Sequence, residues 1–327
     1  MRSRTLAAVV LLAPFAVGLL APGAAVEPTP AEPLFHFTDP EITESSGLVA
    51  RDGLVVTVND SGDGNRVFVV DPATGDTVGT TRWQGEPRDI EALAPAGPGE
   101  VWVGDIGDNA AVRDDITVAR VPVGRGDREV QAPTYRLVYP DGPHDAETLL
   151  ADPRTGRLHV VAKEFIGRLY AAPAQLDPDR PNELTLVDEV LGIATDGAFL
   201  PDGEHLVLRN YGQAAVYRWP DLERVAQVDL PRQPQGEGIA VAEDGTVLLS
   251  SEGEGAEVLR VELPLDAPPS ASTPSTPSVP PGTQDTDDGS GRAPVEAVER
   301  SLWPWAVGGI AGVVIVVVLV LSLRPRD

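Results

Sequence analysis

The chain has 327 residues, no cysteine and a formal net charge of −25. The missing thiols exclude cysteine catalysis, cysteine-ligated zinc and disulfide stapling. Acidity on this scale repels nucleic acid and anionic lipid and attracts cations, so a nucleic-acid partner is excluded.

From the N-terminus, residues 1–25 combine Arg2 and Arg4, an apolar run from Leu6 to Leu20, and a small-residue exit ending at Ala25. That order is the pattern of a secretory signal peptide, cleaved after Ala25. Residues 26–33 form a short Pro-rich leader, and a folded domain is expected over 34–263. Residues 264–302 are rich in Pro, Ser and Thr and almost free of large apolar groups. Such a stretch cannot bury enough surface to offset its ordering entropy and reads as an extended stalk. Trp305–Leu323 is nineteen residues without a charge, enough for a helix to cross about 30 Å of hydrocarbon. With Trp303 and Trp305 as interfacial anchors, a transmembrane helix is expected over 303–323. Arg324 and Arg326 in the tail 324–327 assign that end to the cytoplasm and the long N-terminal part to the outside. The expected product is a single-pass protein of the cell membrane with an extracellular working domain.

Internal repetition dominates the folded domain. Five segments begin alike: Glu44–Leu48, Asp89–Leu93, Asp145–Leu149, Thr195–Phe199 and Gln235–Ile239. After each come a turn and a Val-rich run: Leu54–Val58, Val101–Val103, Leu158–Ala162, Leu206–Leu208 and Val247–Leu249. A third run follows at Val67–Val70, Thr117–Val121, Arg168–Ala172, Ala215–Trp219 and Glu257–Val261. A more polar fourth run appears in the first four repeats, as at Thr134–Tyr139 and Glu183–Val187. Short β-branched runs between turns, with no long helical period, predict an all-β chain. Four strands per repeat is the content of a β-propeller blade, so five four-stranded blades are expected. The fifth repeat lacks a fourth strand, and Leu34–Thr38 can supply it, closing the ring and removing open sheet edges. A sixth blade inside the longer 89–144 repeat is the alternative.

In a propeller the first strand of each blade lines the central channel and the second returns to the same face, so five strand-one starts and five strand-two ends meet at one mouth. These positions are acidic. Asp60, Asp63, Glu91, Asp105, Asp108, Asn109, Glu147 and Glu237 are candidate metal ligands. Glu44, Asp89, His144, Asp145, Lys163, Glu164, Asp196, Arg209, Asn210 and Glu252 are candidate ligand-binding groups around them. So many carboxylates near one axis repel one another unless cations offset them. Lys163 and Arg209 can do so internally, as a salt-bridged mouth. Alternatively, oxygen ligands can hold a hard divalent cation, calcium first, at roughly 2.3–2.6 Å. The repeated Asp-x-Gly-Asp at Asp60–Asp63 and Asp105–Asp108 speaks for metal, because glycine lets two carboxylates turn toward one point. Neither loop fits the EF-hand pattern, and the same sequences make good turns without metal. Lys163, the single lysine, is either a base or an ion-pair partner; His144, beside Asp145 and Glu147, is either a general base or a surface residue. No Gly-x-Ser-x-Gly elbow, phosphate loop or His-Glu-x-x-His occurs. No organic cofactor is expected.

The segments Glu44–Val49, Val58–Gly75, Arg88–Leu93, Asp145–Leu150, Asp152–Glu164, Gln235–Ala240 and Ser250–Gly255 together resemble secreted bacterial propellers. The resemblance is to a broad superfamily of SdiA-regulated, NHL-like, gluconolactonase-like and loosely WD-repeat-like proteins, and covers about 34–263. Gluconolactonase-like members hold a divalent metal at the channel mouth and hydrolyse lactones, and Glu91, Asp105, Asn109 and Glu237 are residue types suited to that part. Fold does not settle activity in such a group. The leading expectation is a tethered binding module whose acidic mouth, with or without calcium, engages a small cationic ligand or a cell-envelope protein. The alternative is a metal-dependent hydrolase of a small lactone or ester.

Overall fold

The computed structural model describes residues 29–60 and 62–264. The expected signal peptide, transmembrane helix and cytoplasmic tail lie outside the described residues, as do the first part of the leader and nearly all of the stalk.

The described residues form five sheets, the blades of a five-bladed β-propeller. Blade 1 runs outward from the channel as β2 (Ser45–Arg51), β3 (Leu54–Asn59), β4 (Arg66–Val70) and β5 (Thr77–Trp83). Blade 2 is β6 (Ile90–Gly97), β7 (Glu100–Asp105), β8 (Ile116–Pro122) and β10 (Thr134–Val138). Blade 3 is β11 (Ala146–Ala151), β12 (Leu158–Ala162), β13 (Gly167–Ala171) and β15 (Thr185–Val190). Blade 4 is β16 (Asp196–Phe199), β17 (His205–Arg209), β18 (Gln213–Arg218) and β19 (Arg224–Asp229). Blade 5 is β20 (Gly236–Val241), β21 (Val247–Ser251) and β22 (Glu257–Val261), completed by β1 (Ala31–His36) from the other end of the domain. β1 pairs antiparallel with β22 from Ala31 opposite Val261 to His36 opposite Glu257, so the closing strand begins three residues before Leu34.

The apolar runs are continuous because each middle strand is buried on both faces. In β4, Val67 and Val69 face blade 2, while Phe68 and Val70 face blade 5. Val55 and Val56 of β3 divide in the same way, so the period of two survives with both faces apolar. Five hydrophobic clusters result, one between each neighbouring pair of blades, including the pair formed by blades 5 and 1. That last cluster joins Phe35, Leu48, Phe68 and Leu248, and it is what makes the ring continuous.

Two blades depart from the four-stranded expectation. β9 (Arg128–Val130) adds parallel to β5, and β14 (Asn182–Glu183) adds parallel to β10. The extra length of the 89–144 repeat therefore covers an edge of blade 1, and no sixth blade exists among the described residues.

Five inner strands leave little room at the axis. A Cβ on Gly47 would lie 2.4 Å from the backbone nitrogen of Leu93, and one on Gly238 would lie 2.7 Å from the carbonyl oxygen of Ser46. Glycine stands where neighbouring inner strands touch backbone to backbone. Four inner strands also slip register near their starts, at Ser45/Leu48, Ile90/Ala92, Ala146/Thr148 and Gly236/Ile239. Such bulges bend the strand and re-aim side chains at the channel entrance.

Candidate functional site

The third place of the repeated strand-one motif holds Ser46, Glu91, Glu147, Gly197 and Glu237 in blades 1 to 5. All three glutamates are buried. Burial, then repulsion from Glu147 and Asp60, pushes Glu91 up to about 11. Burial, then repulsion from Glu147, pushes Glu237 up to about 8. Glu147 rises only to about 7, because the Lys163 ammonium offsets part of its burial.

These carboxylates form two groups. In the first, Asp60 at the end of β3 meets Asp89 and Glu91 at the start of β6, with one oxygen from each within 4.8 Å of the others. Asp60 and Glu91 share a hydrogen bond. The Ser46 hydroxyl donates to the Glu91 carbonyl at 2.6 Å and reaches its Oε2 at 3.2 Å. Burial and repulsion from Asp60 and Asp145 lift Asp89 to about 6. In the second group, Lys163 pairs with Glu147 Oε1, and its Nζ lies 5.4 Å from the centre of the Tyr211 ring. Burial works against the Lys163 charge, but Glu147 and Tyr211 more than offset it and its pKa is raised. Glu147 Oε2 and Glu237 Oε2 are buried with no hydrogen-bond partner among the described residues.

The remaining acids of the two Asp-x-Gly-Asp loops turn elsewhere. Asp63 accepts from Arg66 at 2.6 Å and Asn59 at 3.1 Å. Asp105 pairs with Arg113 at 2.8 Å and caps the backbone amides of Arg88 and Asp89. Asp108 accepts from the Arg113 amide at 2.7 Å, and its own amide donates to Asp145 at 2.8 Å. Asn109 is exposed in the following turn. Within each loop the two acids thus serve different partners.

Other candidates hold the blades together. Asp196 is fully buried and accepts from the amides of Leu48 at 3.2 Å, Ile239 at 2.8 Å and Gly197 at 2.8 Å, tying three inner strands to one carboxylate. Arg209, also fully buried, donates to the carbonyls of Gly238 at 3.1 Å and Ser250 at 3.3 Å, and burial lowers its pKa to about 10. His144 lies between Asp141 and Glu164, 3.0 Å from each, and stacks on Tyr170. Glu164 also binds Arg168, so this network knits the blade 3 rim and stays apart from the glutamates. Asn210 closes its own turn through the amides of Gly212 and Gln213. Glu44 is exposed and its carbonyl accepts from the Asp60 amide at 2.9 Å. Glu252 accepts from Gln235 at 2.6 Å, and burial with repulsion from Asp60 raises its pKa.

Sequence reasoning missed Ser46, which stands at the repeat position held by Glu91, Glu147 and Glu237, and Tyr211, whose place is taken by Glu164 in blade 3. All of the sequence candidates lie at this mouth, and none was assigned to the opposite face. There the inner-strand ends enclose a funnel of about 610 Å³ with an aliphatic floor that includes Leu48, Leu93 and Leu149. The channel is therefore acidic at one end and greasy at the other. Comparison of the sequence with family models and with curated proteins found no match to either.

Proposed function

We propose that this propeller is an extracellular binding module, anchored by its C-terminal segment, that presents the acidic mouth to cationic ligands and holds a calcium ion there. The supporting observation is the meeting of Asp60, Asp89 and Glu91 from two blades, with one oxygen each inside 4.8 Å. Ligands on opposite sides of calcium stand about 5 Å apart at the usual calcium–oxygen distances, so the spacing and the all-oxygen donors suit that ion. Burial first, and repulsion among neighbouring carboxyl groups second, raise the pKa of Glu91 and Asp89, and a bound cation would relieve the repulsion.

Thermal unfolding of the chain in calcium, magnesium or chelator tests this. A cation bound only to the folded state raises the midpoint as its concentration increases. The rise should disappear in Asp60→Asn and persist in Asp63→Asn, whose parent carboxylate is held by Arg66. No rise in wild type with any divalent ion would leave a salt-bridged mouth in place of a metal seat. Calcium-dependent turnover of lactones or esters would replace the binding reading with the hydrolase one.

A further inference from the structure

The second carboxylate group shares the acidic mouth with exposed apolar side chains. The loops joining second to third strands expose Val112 in blade 2 at 72%, Phe165 and Ile166 in blade 3 at 90% and 54%, and Tyr211 in blade 4 at 42%. All of these loops rise at the acidic mouth, since each follows a strand whose end carries the mouth residues Asp105, Lys163 or Arg209. A phenylalanine so exposed beside another apolar side chain is an unsatisfied surface of the kind that marks interaction sites. At the same mouth, Glu147 and Glu237 each keep a buried oxygen without a partner among the described residues. A buried acceptor left unmet destabilises the free protein, and a donor brought by a ligand recovers that loss. Lys163 already demonstrates the chemistry: its ammonium sits between Glu147 and the Tyr211 ring.

We propose that the mouth docks an extended peptide segment, placing one basic side chain against Glu147 and Glu237 and its apolar neighbours on Phe165, Ile166 and Tyr211. This rests on reading the mouth as a binding site, but not on the calcium seat, which uses other carboxylates. Charge complementarity selects a basic partner, because the mouth is ringed by acids and the chain is strongly negative. A peptide is favoured over a small amine because the apolar rim spans three blades, and an isolated ammonium would leave it bare.

The test uses the full-length chain and fluorescein-labelled Gly-Phe-Lys-Phe-Gly, read by anisotropy in calcium and in chelator. Gly-Phe-Gln-Phe-Gly and Gly-Ser-Lys-Ser-Gly are the comparison probes. The expected result is binding at least about tenfold tighter than either comparison, the order of one hydrogen-bonded charge or one aromatic contact. The bound cation draws off the Glu237 proton, so Glu237→Gln, which cannot ionise, should weaken it about tenfold. Phe165→Ser, an exposed change that leaves the core intact, should weaken it severalfold while leaving the calcium-induced shift in midpoint unchanged. Equal affinity for all three peptides, or indifference to both variants, overturns the proposal. Equally tight binding of butylammonium overturns it in favour of a small-amine seat. Peptide binding without a calcium shift would sink only the calcium seat, and the reverse would sink only the peptide.

Discussion

Raising the pH should destabilise the metal-free protein, and the size of the effect follows from the three buried glutamates. The unfolded chain ionises glutamate near 4.3, whereas the fold holds Glu91 at about 11, Glu237 at about 8 and Glu147 at about 7. A folded pKa above the unfolded one means that the folded state binds more protons. Its stabilising contribution is full below the unfolded value and is lost as pH rises toward the folded value. Each such proton is worth about 1.4 kcal/mol per pH unit. Between pH 6 and 7.5, Glu91 and Glu237 both remain largely protonated only in the fold and Glu147 does so up to about 7, a gross loss on the order of 5 kcal/mol. Water entering the open mouth and side-chain relaxation reduce this, so a fall of about 2 kcal/mol is expected, a large share of a typical 5–15 kcal/mol stability. Urea unfolding in chelator at half-unit pH steps measures it. Glu91→Gln, which cannot ionise, should make the fall shallower by about 0.5 kcal/mol per pH unit. Calcium should flatten it, because an ion replaces the protons. Constant or rising stability across pH 6–7.5 in chelator would refute the idea that crowding and burial hold these carboxyls protonated.

Gly47→Ala should lower stability by about 1–3 kcal/mol through overpacking, since its Cβ would lie 2.4 Å from the Leu93 nitrogen. Gly212→Ala, with nothing within 4 Å, should stay within about 0.5 kcal/mol in the same denaturation assay. Asp196→Ala strands the amides of Leu48 and Ile239; at about 1–3 kcal/mol for each unmet donor, the variant should unfold well below wild type by calorimetry. Deleting residues 31–36 uncovers the edge of β22 and removes Phe35 from the blade 5–1 cluster. The product should aggregate on size exclusion while the intact chain does not.

A strand buried on both faces needs apolar residues at every position, so β3, β4, β12 and β21 announce themselves as Val- and Leu-rich runs. Five copies of the strand-one motif, with a spare strand before the first, are enough to count the blades and anticipate closure. Blade topology then assigns strand ends to one mouth, which is why Glu91, Glu147 and Glu237 were legible as a set.

Which acid meets which partner was not legible. Asp60 and Asp63 are three residues apart in identical-looking chemistry, yet one faces Glu91 on the next blade and the other Arg66 on its own. Asp105 matches Asp60 in its loop but is taken by Arg113, eight residues on. Those choices depend on how neighbouring blades are set against each other, a distance that local spacing does not encode. The same holds for the parallel edge strands β9 and β14, the greasy funnel at the far end, and Asp196 binding three inner strands at once. The sequence by itself determined the repeat, its all-β character and the sign of the mouth, because these follow from side-chain type at fixed period. Only the closed ring decided the pairings, because a carboxylate's partner and its burial are properties of the neighbour that folding brings to it.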